Sequence, residues 1–502
     1  MRRVPHIVIL LGLPFFLSTA MADVTLAPLF QDHAILQRNQ PLPIWGRAEP
    51  GEKIAVNFRD QTVGATTDAD GRWLVYLEPI SAAIEPSDLT VTGKTTVVIQ
   101  DVLVGEVWLA SGQSNMNRQI SSLPDAAEVI AKVNNPFIRQ LTVALTAAKE
   151  PADKVETSGW QTADPTTAGN FSAVAWFFAT DLQRKLGVPV GIIHSSWGGS
   201  KIEAWMDSRT LQTTKVWPAI DERWQYLIAN YPRIEAEYAA WEKTVKELAA
   251  KKLPAPTTMP LLPRGSGSPH ALSELFNGMI APLQPYAIRG VIWYQGESNW
   301  ERPTEYAELF PTMINAWRAQ WGLGDMPFYF VQLPNYGQTY DPTNQSWAYL
   351  REAQTAALKL SAVNMAVTID CGDPKDIHPQ NKPIVGRRLA QLAEAKVYRI
   401  PGDWSGPRFA SAVREGATMR VSFDEVATGL TSENKPPQAF ELAGADRKFY
   451  PATATIDRDT IVVKAPQVPA PVAVRYAWSN VPVANLYNGA GLPAAPFRSD
   501  DW

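Results

Sequence analysis

An α/β fold is predicted, with a parallel sheet covered by helices on both faces and small all-β modules on either side. Three observations predict it. Between about residues 101 and 400, short apolar runs alternate with longer stretches of helical periodicity. Residues 23–100 and 401–502 instead hold short alternating runs set between turn signals. Four short, glycine- or acid-rich segments each stand just past an apolar run, where sites form in open sheets of this kind.

The chain begins with a pattern typical of export. Arg2 and Arg3 precede the apolar run from Ile7 to Leu17, and Ala20-Met21-Ala22 fits a small-residue cleavage site. Residues 1–22 are therefore expected to be a signal peptide cleaved near Ala22, which leaves a secreted or periplasmic protein with no membrane attachment. The apolar run is too short to span a bilayer comfortably. In the first β-module, Lys53–Phe58 alternates between the turn signals Glu49-Pro50-Gly51-Glu52 and Asp68-Ala69-Asp70-Gly71. In the central region the expected strands are Glu106–Ala110, Val188–His194, Ile288–Tyr294, Phe328–Leu333 and Met365–Asp370. The expected helices are Ala173–Leu186, Tyr306–Trp321, Trp347–Leu360 and Lys382 to about Val397. Residues 210–265 interrupt this alternation with a charged helical stretch, Ile234–Lys251, and a loop rich in proline and glycine. They are expected to be an insertion near the site or at a domain contact. In the last module, Thr418–Phe423 and Thr460–Lys464 read as strands.

Composition narrows the function. A formal net charge of −4 over 502 residues, with no basic block, excludes a nucleic-acid partner. The one cysteine, Cys371, cannot form an internal disulfide and is expected to be a small core residue. There is no HExxH pattern, cysteine cluster, histidine pair at ligand spacing or phosphate-binding glycine loop, so no metal or cofactor is expected. Asp370, Asp373 and Asp376 lack the glycine and terminal glutamate of a calcium loop. The 18 tryptophans are mostly core, although their faces also suit sugar rings.

The four segments carry the chemistry. Gly112-Gln113-Ser114-Asn115-Met116 follows Val107–Ala110. A serine on a strand-to-helix turn presents its hydroxyl at the sheet edge, and the amides behind it can face an oxyanion; it can equally cap the helix. In Ser195–Ser200, Gly198 and Gly199 allow close backbone approach with an amide free to donate, or form an ordinary turn. In Gln295-Gly296-Glu297-Ser298-Asn299, the side-chain amide of Gln295 or Asn299 could complete an oxyanion hole. The carboxylate of Glu297 is expected to pair with a cation such as Arg351. The fourth segment, Asp373–Pro379, contains His378, which can reach a serine across the strand tips. Of the five histidines, His6 lies in the leader, His33 in the first β-module, His194 at a strand end and His270 beside the insertion. His378 is the favoured base because acidic neighbours can orient its ring.

At these segments the chain resembles the SGNH hydrolases, and within them the sialate O-acetylesterase-like carbohydrate esterases. GQSNM (112–116), WGGSKIEAW (197–205), WYQGESNW (293–300) and DIHPQNK (376–382) carry the resemblance. LFQDHAILQRNQPLPIWG (29–46) and NGAGLPAAPFRSDDW (488–502) extend it over most of the mature chain. It implies a flavodoxin-like three-layer domain. Ser114 would be the nucleophile and His378 the base. The oxyanion hole would be formed by the Ser114 amide, a Gly198 or Gly199 amide and Gln295, with Asn299 as fallback. The family commonly carries aspartate three positions before the histidine, where this chain has Lys375. Asp376 is taken as the acidic member, with Asp373 or a backbone carbonyl as alternatives.

The implied reaction is hydrolysis of acetyl esters on sugars through an acetyl-serine intermediate, with no cofactor. The partner is an acetylated carbohydrate, either O-acetylated sialic acid or a plant hemicellulose such as xylan or xyloglucan. Trp197, Trp205, Trp293 and Trp300 flank the motifs as sugar-stacking or core residues. The alternative is a non-catalytic carbohydrate-binding protein on an esterase scaffold. A lipase is disfavoured because the insertion does not look like an apolar lid.

Overall fold

The structure is a computed structural model that describes residues 23–254, 256, 258–337 and 341–502. The expected leader, residues 1–22, lies outside the described residues. The central sheet is built from β1 (Thr96–Gly112), β2 (Asn135–Val143), β3 (Thr157–Ala163), β4 (Val190–Ser196), β5 (Gly290–Tyr294), β6 (Phe328–Val331) and β7 (Val363–Ala366). They lie side by side as β3-β2-β4-β1-β5-β6-β7. Every neighbouring pair is parallel except β2–β3. Strands buried on both faces read as unbroken apolar runs, and β4 and β5 are buried at every position.

Five helices matter for the site: α1 (Ser114–Asn117), α2 (Ala173–Leu186), α3 (Pro303–Trp321), α4 (Ser346–Thr355) and α5 (Lys382–Lys396). The α2 helix starts where the Ser172 side chain accepts the Ala175 N–H, and it stops at Gly187 in the left-handed region. On one face of the sheet Phe178 of α2 packs edge-on against Trp108, with ring centroids 5.2 Å apart. The α5 helix lies against α2 at Gly386, where a Cβ would come within 2.6 Å of Phe177 Cβ. On the other face Phe310 of α3 packs against Trp293, Phe328 and Phe330.

Three strands end in line. Gly112 of β1 pairs with Ser196 of β4 on one side and Tyr294 of β5 on the other. The first three motif segments therefore leave the sheet together. The fourth follows β7 and returns to this edge.

The flanking regions differ from one another. The first half of β1 pairs antiparallel with the Ala83–Thr92 strand, and its second half runs in the parallel sheet. One 17-residue strand thus crosses the boundary expected at residue 100, and the two regions share one apolar core. The C-terminal region forms a separate seven-stranded antiparallel sheet with its own core around Val421, Leu442, Ile461 and Tyr476. The insertion contributes helices Trp217–Ala229 and Tyr231–Ala250, and the longer one buries only Ile234.

Candidate active site

Gly112 makes the serine turn. Its φ is +133°, and a Cβ there would lie 2.2 Å from the Tyr294 carbonyl oxygen. The turn is pinned by the Gln113 N–H donating to Tyr294 O (2.9 Å) and the Trp197 N–H donating to Gly112 O (3.1 Å). Ser114 then opens α1, half-buried, with no capping side chain on Gln113. Its hydroxyl oxygen lies 2.9 Å from His378 Nε2. The two residues are 264 positions apart in sequence, and no other histidine touches Ser114 among the described residues. His194 is buried in the core against Ser196 Oγ, and burial lowers its pKa to about 4. His33 bonds Asp101 in the first β-region. His270 lines a cleft described below.

The His378 loop is held by its acidic neighbour. Asp376 Oδ1 accepts the His378 backbone N–H at 2.8 Å and stands 3.7 Å from His378 Nδ1. That separation is an ion-pair contact with an imidazolium rather than a hydrogen bond to the ring. Asp373 accepts the Lys375 N–H at 2.7 Å, within its own turn, and Asp370 is paired with Arg388. Of the two aspartates weighed as the acidic member, Asp376 is the one in contact with His378. The pKa of His378 lies below the ordinary 6.5, chiefly through burial and then through the nearby Arg118 charge. Asp376 opposes this shift and Lys382 adds to it.

Backbone donors face the serine. A Cβ on Gly198 would lie 3.4 Å from Ser114 Cβ, so the glycine pair runs directly beside the serine turn. Gly199 has φ +74°, which turns this loop. The amides of Ser114, Gly198 and Gly199 make no hydrogen bond among the described residues. The Gln295 side chain is different. It is fully buried and donates to Ser200 O (3.1 Å) and Asn299 Oδ1 (2.8 Å), and it accepts from Tyr306 OH (3.0 Å). Both its hydrogens are used inside the protein, which removes the expected third donor. The fallback Asn299 is also engaged, donating one hydrogen to Glu203 and accepting the Ile202 N–H. These two amides tie the glycine loop to the third segment.

The expected Glu297–Arg351 pair does not form. Arg351 is fully buried and donates to four carbonyls: Leu333, Pro334, Ser479 and Asn480. It clamps the loop after β6 to the C-terminal region, and burial lowers its pKa to about 9. Glu297 instead accepts from Asn115 Nδ2 at 2.5 Å, and the nearest cation acting on it is Lys382. Gln113, Asn115, Arg118 and Lys382 were given no separate roles from sequence, although all but Arg118 lie within the quoted motifs. Gln113 Oε1 accepts the Gly296 and Ser298 N–H groups, both at 3.3 Å.

Trp205 and Trp293 are buried against each other, edge to face at 6.0 Å, and are core. Trp197 and Trp300 are half-buried against that core. Cys371 is also buried, with its thiol pKa pushed up to about 12 mainly by desolvation. A cleft of about 740 Å³ opens between the insertion and the loops after β4 and β5. Lys201, Arg264, Arg302 and His270 line it together with Trp224 and Leu261. Glu203, Glu222 and Glu301 line it as well, and Arg302 pairs with Glu301 at 3.1 Å. Burial lowers the Lys201 pKa to about 8. No helix among the described residues is long and apolar enough to cross a membrane.

Comparison with known proteins places this arrangement in a family. The family model described as carbohydrate esterase, sialic acid-specific acetylesterase matches residues 267–394, which include the third and fourth segments. Sialate O-acetylesterase of Mus musculus is 29% identical, over 94% of this chain and 93% of that protein. The Homo sapiens protein of the same name is 26% identical, over 98% and 96%. The crystal structure of a carbohydrate acetylesterase from Xanthomonas citri superposes with a TM-score of 0.82 at 38% identity, covering 96% of this chain and all of that one. With that identity along its whole length, the chain belongs to the sialate O-acetylesterase-like carbohydrate esterases and is a carbohydrate O-acetylesterase.

Proposed function

We propose that the enzyme works by a serine–histidine acyl-enzyme mechanism on an SGNH-type, three-layer domain. The observation that carries this is the 2.9 Å contact between Ser114 Oγ and His378 Nε2, with unengaged backbone amides beside it. His378 takes the Ser114 proton as the hydroxyl oxygen attacks the acetyl carbonyl. The amides of Ser114 and of Gly198 or Gly199 receive the oxyanion. The imidazolium returns its proton to the departing sugar oxygen, leaving acetyl-Ser114. Water, deprotonated by His378, then attacks this ester and releases acetate and the serine. Asp376 steadies the imidazolium by charge and holds the loop, while Gln295 and Asn299 support the glycine loop. The strand order supports the fold assignment. With the β2–β3 hairpin set aside, the remaining strands run 2-1-3-4-5 in chain order, the flavodoxin-like arrangement, and Ser114 sits at the switch point.

The substrate is an O-acetylated acidic sugar of the sialate kind. The cleft beside the glycine loop supports this: its cations Lys201, Arg223, Arg264 and Arg302 outnumber the carboxylates of Glu203, Glu222 and Glu301, and Lys201 and Arg264 suit a sugar carboxylate. A neutral hemicellulose is the second reading, favoured by Trp224 in the cleft and the half-buried Trp197 and Trp300, whose faces suit sugar rings. Residues 1–22 are a cleaved leader, and the enzyme acts in the periplasm or outside the cell. Its mature chain divides at about residue 400, where the C-terminal region with its own core begins.

Acetate release by the mature protein and by Ser114→Ala tests both points. The substrates are a generic acetyl ester, O-acetylated sialic acid, acetylated xylan and acetylated xyloglucan. Serine-dependent release is expected, fastest from the acidic sugar. Release unaffected by Ser114→Ala overturns the mechanism, and preference for the neutral polymers overturns the substrate assignment.

A further inference from the structure

Lys382 stands where a lysine is electrostatically disfavoured. It is the first residue of α5, so its ammonium lies near the positive end of the helix, and it is only 2% exposed. Nζ donates to Asn115 Oδ1 and lies 5.4 Å from the centre of the Tyr294 ring. The amide nitrogen of Asn115 donates to Glu297 Oε1 at 2.5 Å and to Ile377 O at 2.9 Å. This is the only orientation of the Asn115 amide that gives a donor to the carboxylate and an acceptor to the ammonium. The side chain following Ser114 is therefore the junction between a buried carboxylate from the third segment and a buried ammonium from the fourth. Glu297 Oε2 is buried with no hydrogen-bond partner among the described residues; burial raises the Glu297 pKa, and Asn115 and Lys382 are the side chains that oppose the shift.

We propose that Lys382, bridged by Asn115 and counter-charged by Glu297, is a positioning residue that locks the serine turn to the histidine loop and fixes a cation beside the His378 imidazole. The inference rests on His378 as the base. The charged groups acting on His378 are Arg118, Asp376 and Lys382. Those acting on Lys382 are Glu297, Arg118 and Asp376, with the neutral Cys371 thiol nearby. Two cations thus face His378 against one acid. Burial lowers the Lys382 pKa to about 7, opposed by Glu297. The hydrogen bond to Asn115 Oδ1 and the Glu297 carboxylate beyond it favour the charged ammonium. Removing this charge lets His378 bind a proton at higher pH, and the acid limb of the rate profile moves up.

The test is kcat/KM against pH on a small acetyl ester, using the full mature chain. The variants are Lys382→Met, Lys382→Arg, the double variant Glu297→Gln/Lys382→Met, and His378→Ala. Lys382→Met is expected to raise the midpoint of the acid limb by about half a pH unit or more. It should also lower kcat by ~10-fold with little change in KM. Lys382→Arg keeps the charge and should leave the limb near its wild-type position. The double variant removes both buried charges, so it leaves no lone carboxylate and tests the same upward shift should Lys382→Met fail to fold. A limb that stays in place in the folded methionine variants, or moves as far in Lys382→Arg, overturns the proposal. A limb that persists in the residual activity of His378→Ala overturns the assignment of the base instead, and this inference with it.

Discussion

Ser114 and His378 come from opposite ends of the central region and meet at 2.9 Å. A serine beside a neutral imidazole can be deprotonated as it attacks; beside an imidazolium it cannot. Burial and Arg118 hold the His378 pKa below 6.5, so its ring is neutral at neutral pH, and the proposed base is lost as the pH falls through that lowered value. The acid limb of kcat/KM is therefore expected to have its midpoint below pH 6.5, read from a rate profile on a soluble acetyl ester. Ser114→Ala should lower turnover by ~10⁴-fold or more with the fold intact, checked by acetate release beside a thermal melt. Both residues were singled out by the resemblance that GQSNM and DIHPQNK carry, since a serine before a helix taken alone more often caps it. The roles of Gln295 and Arg351 were not legible in the sequence. Nothing in a sequence shows that Tyr306, Ser200 and Asn299 occupy the Gln295 amide, or that four carbonyls surround Arg351.

The serine turn depends on β1, β4 and β5 ending in register, with Gly112 at the crossing. Gly112→Ala would drive a methyl group to 2.2 Å from a backbone oxygen that cannot move without breaking β5. It is expected to abolish acetate release, and to lower the melting temperature more than Ser114→Ala does. Differential scanning calorimetry on the two variants checks this. Elements with one strong signal were readable: Ala173–Leu186, Lys53–Phe58 and Thr460–Lys464 occur with the bounds expected from periodicity. The β2–β3 hairpin was missed. Its stretch Phe137–Val143 is short and breaks the apolar pattern with the buried polar pair Arg139-Gln140, near the sheet edge. The start of β1 was also missed, because its first half is an exposed-and-buried alternation that belongs to the neighbouring antiparallel strands.

At the scale of the whole molecule, two regions bear on the site in different ways. The N-terminal β-region is continuous with the central sheet through β1, so it cannot be separated without cutting the strand that carries Ser114. The C-terminal sheet has its own core and is joined through Arg351, and also through Arg498, which pairs with Glu352 of α4. Arg351→Met would strand buried carbonyls of Leu333, Pro334, Ser479 and Asn480. A loss of ~3 kcal/mol or more is expected, visible as an earlier first transition in thermal unfolding. This variant should leave the pH profile unchanged, because Arg351 does not act on His378. The central claim, that one activated serine performs the chemistry, is tested most directly by covalent labelling. The mature protein is treated with a fluorophosphonate, the label is located by peptide mass spectrometry, and acetate release is followed in the same sample. One label on the Ser114 peptide is predicted, with activity lost in proportion and labelling suppressed in His378→Ala. Full activity after complete labelling of Ser114, or inactivation with the label on another serine, would contradict it.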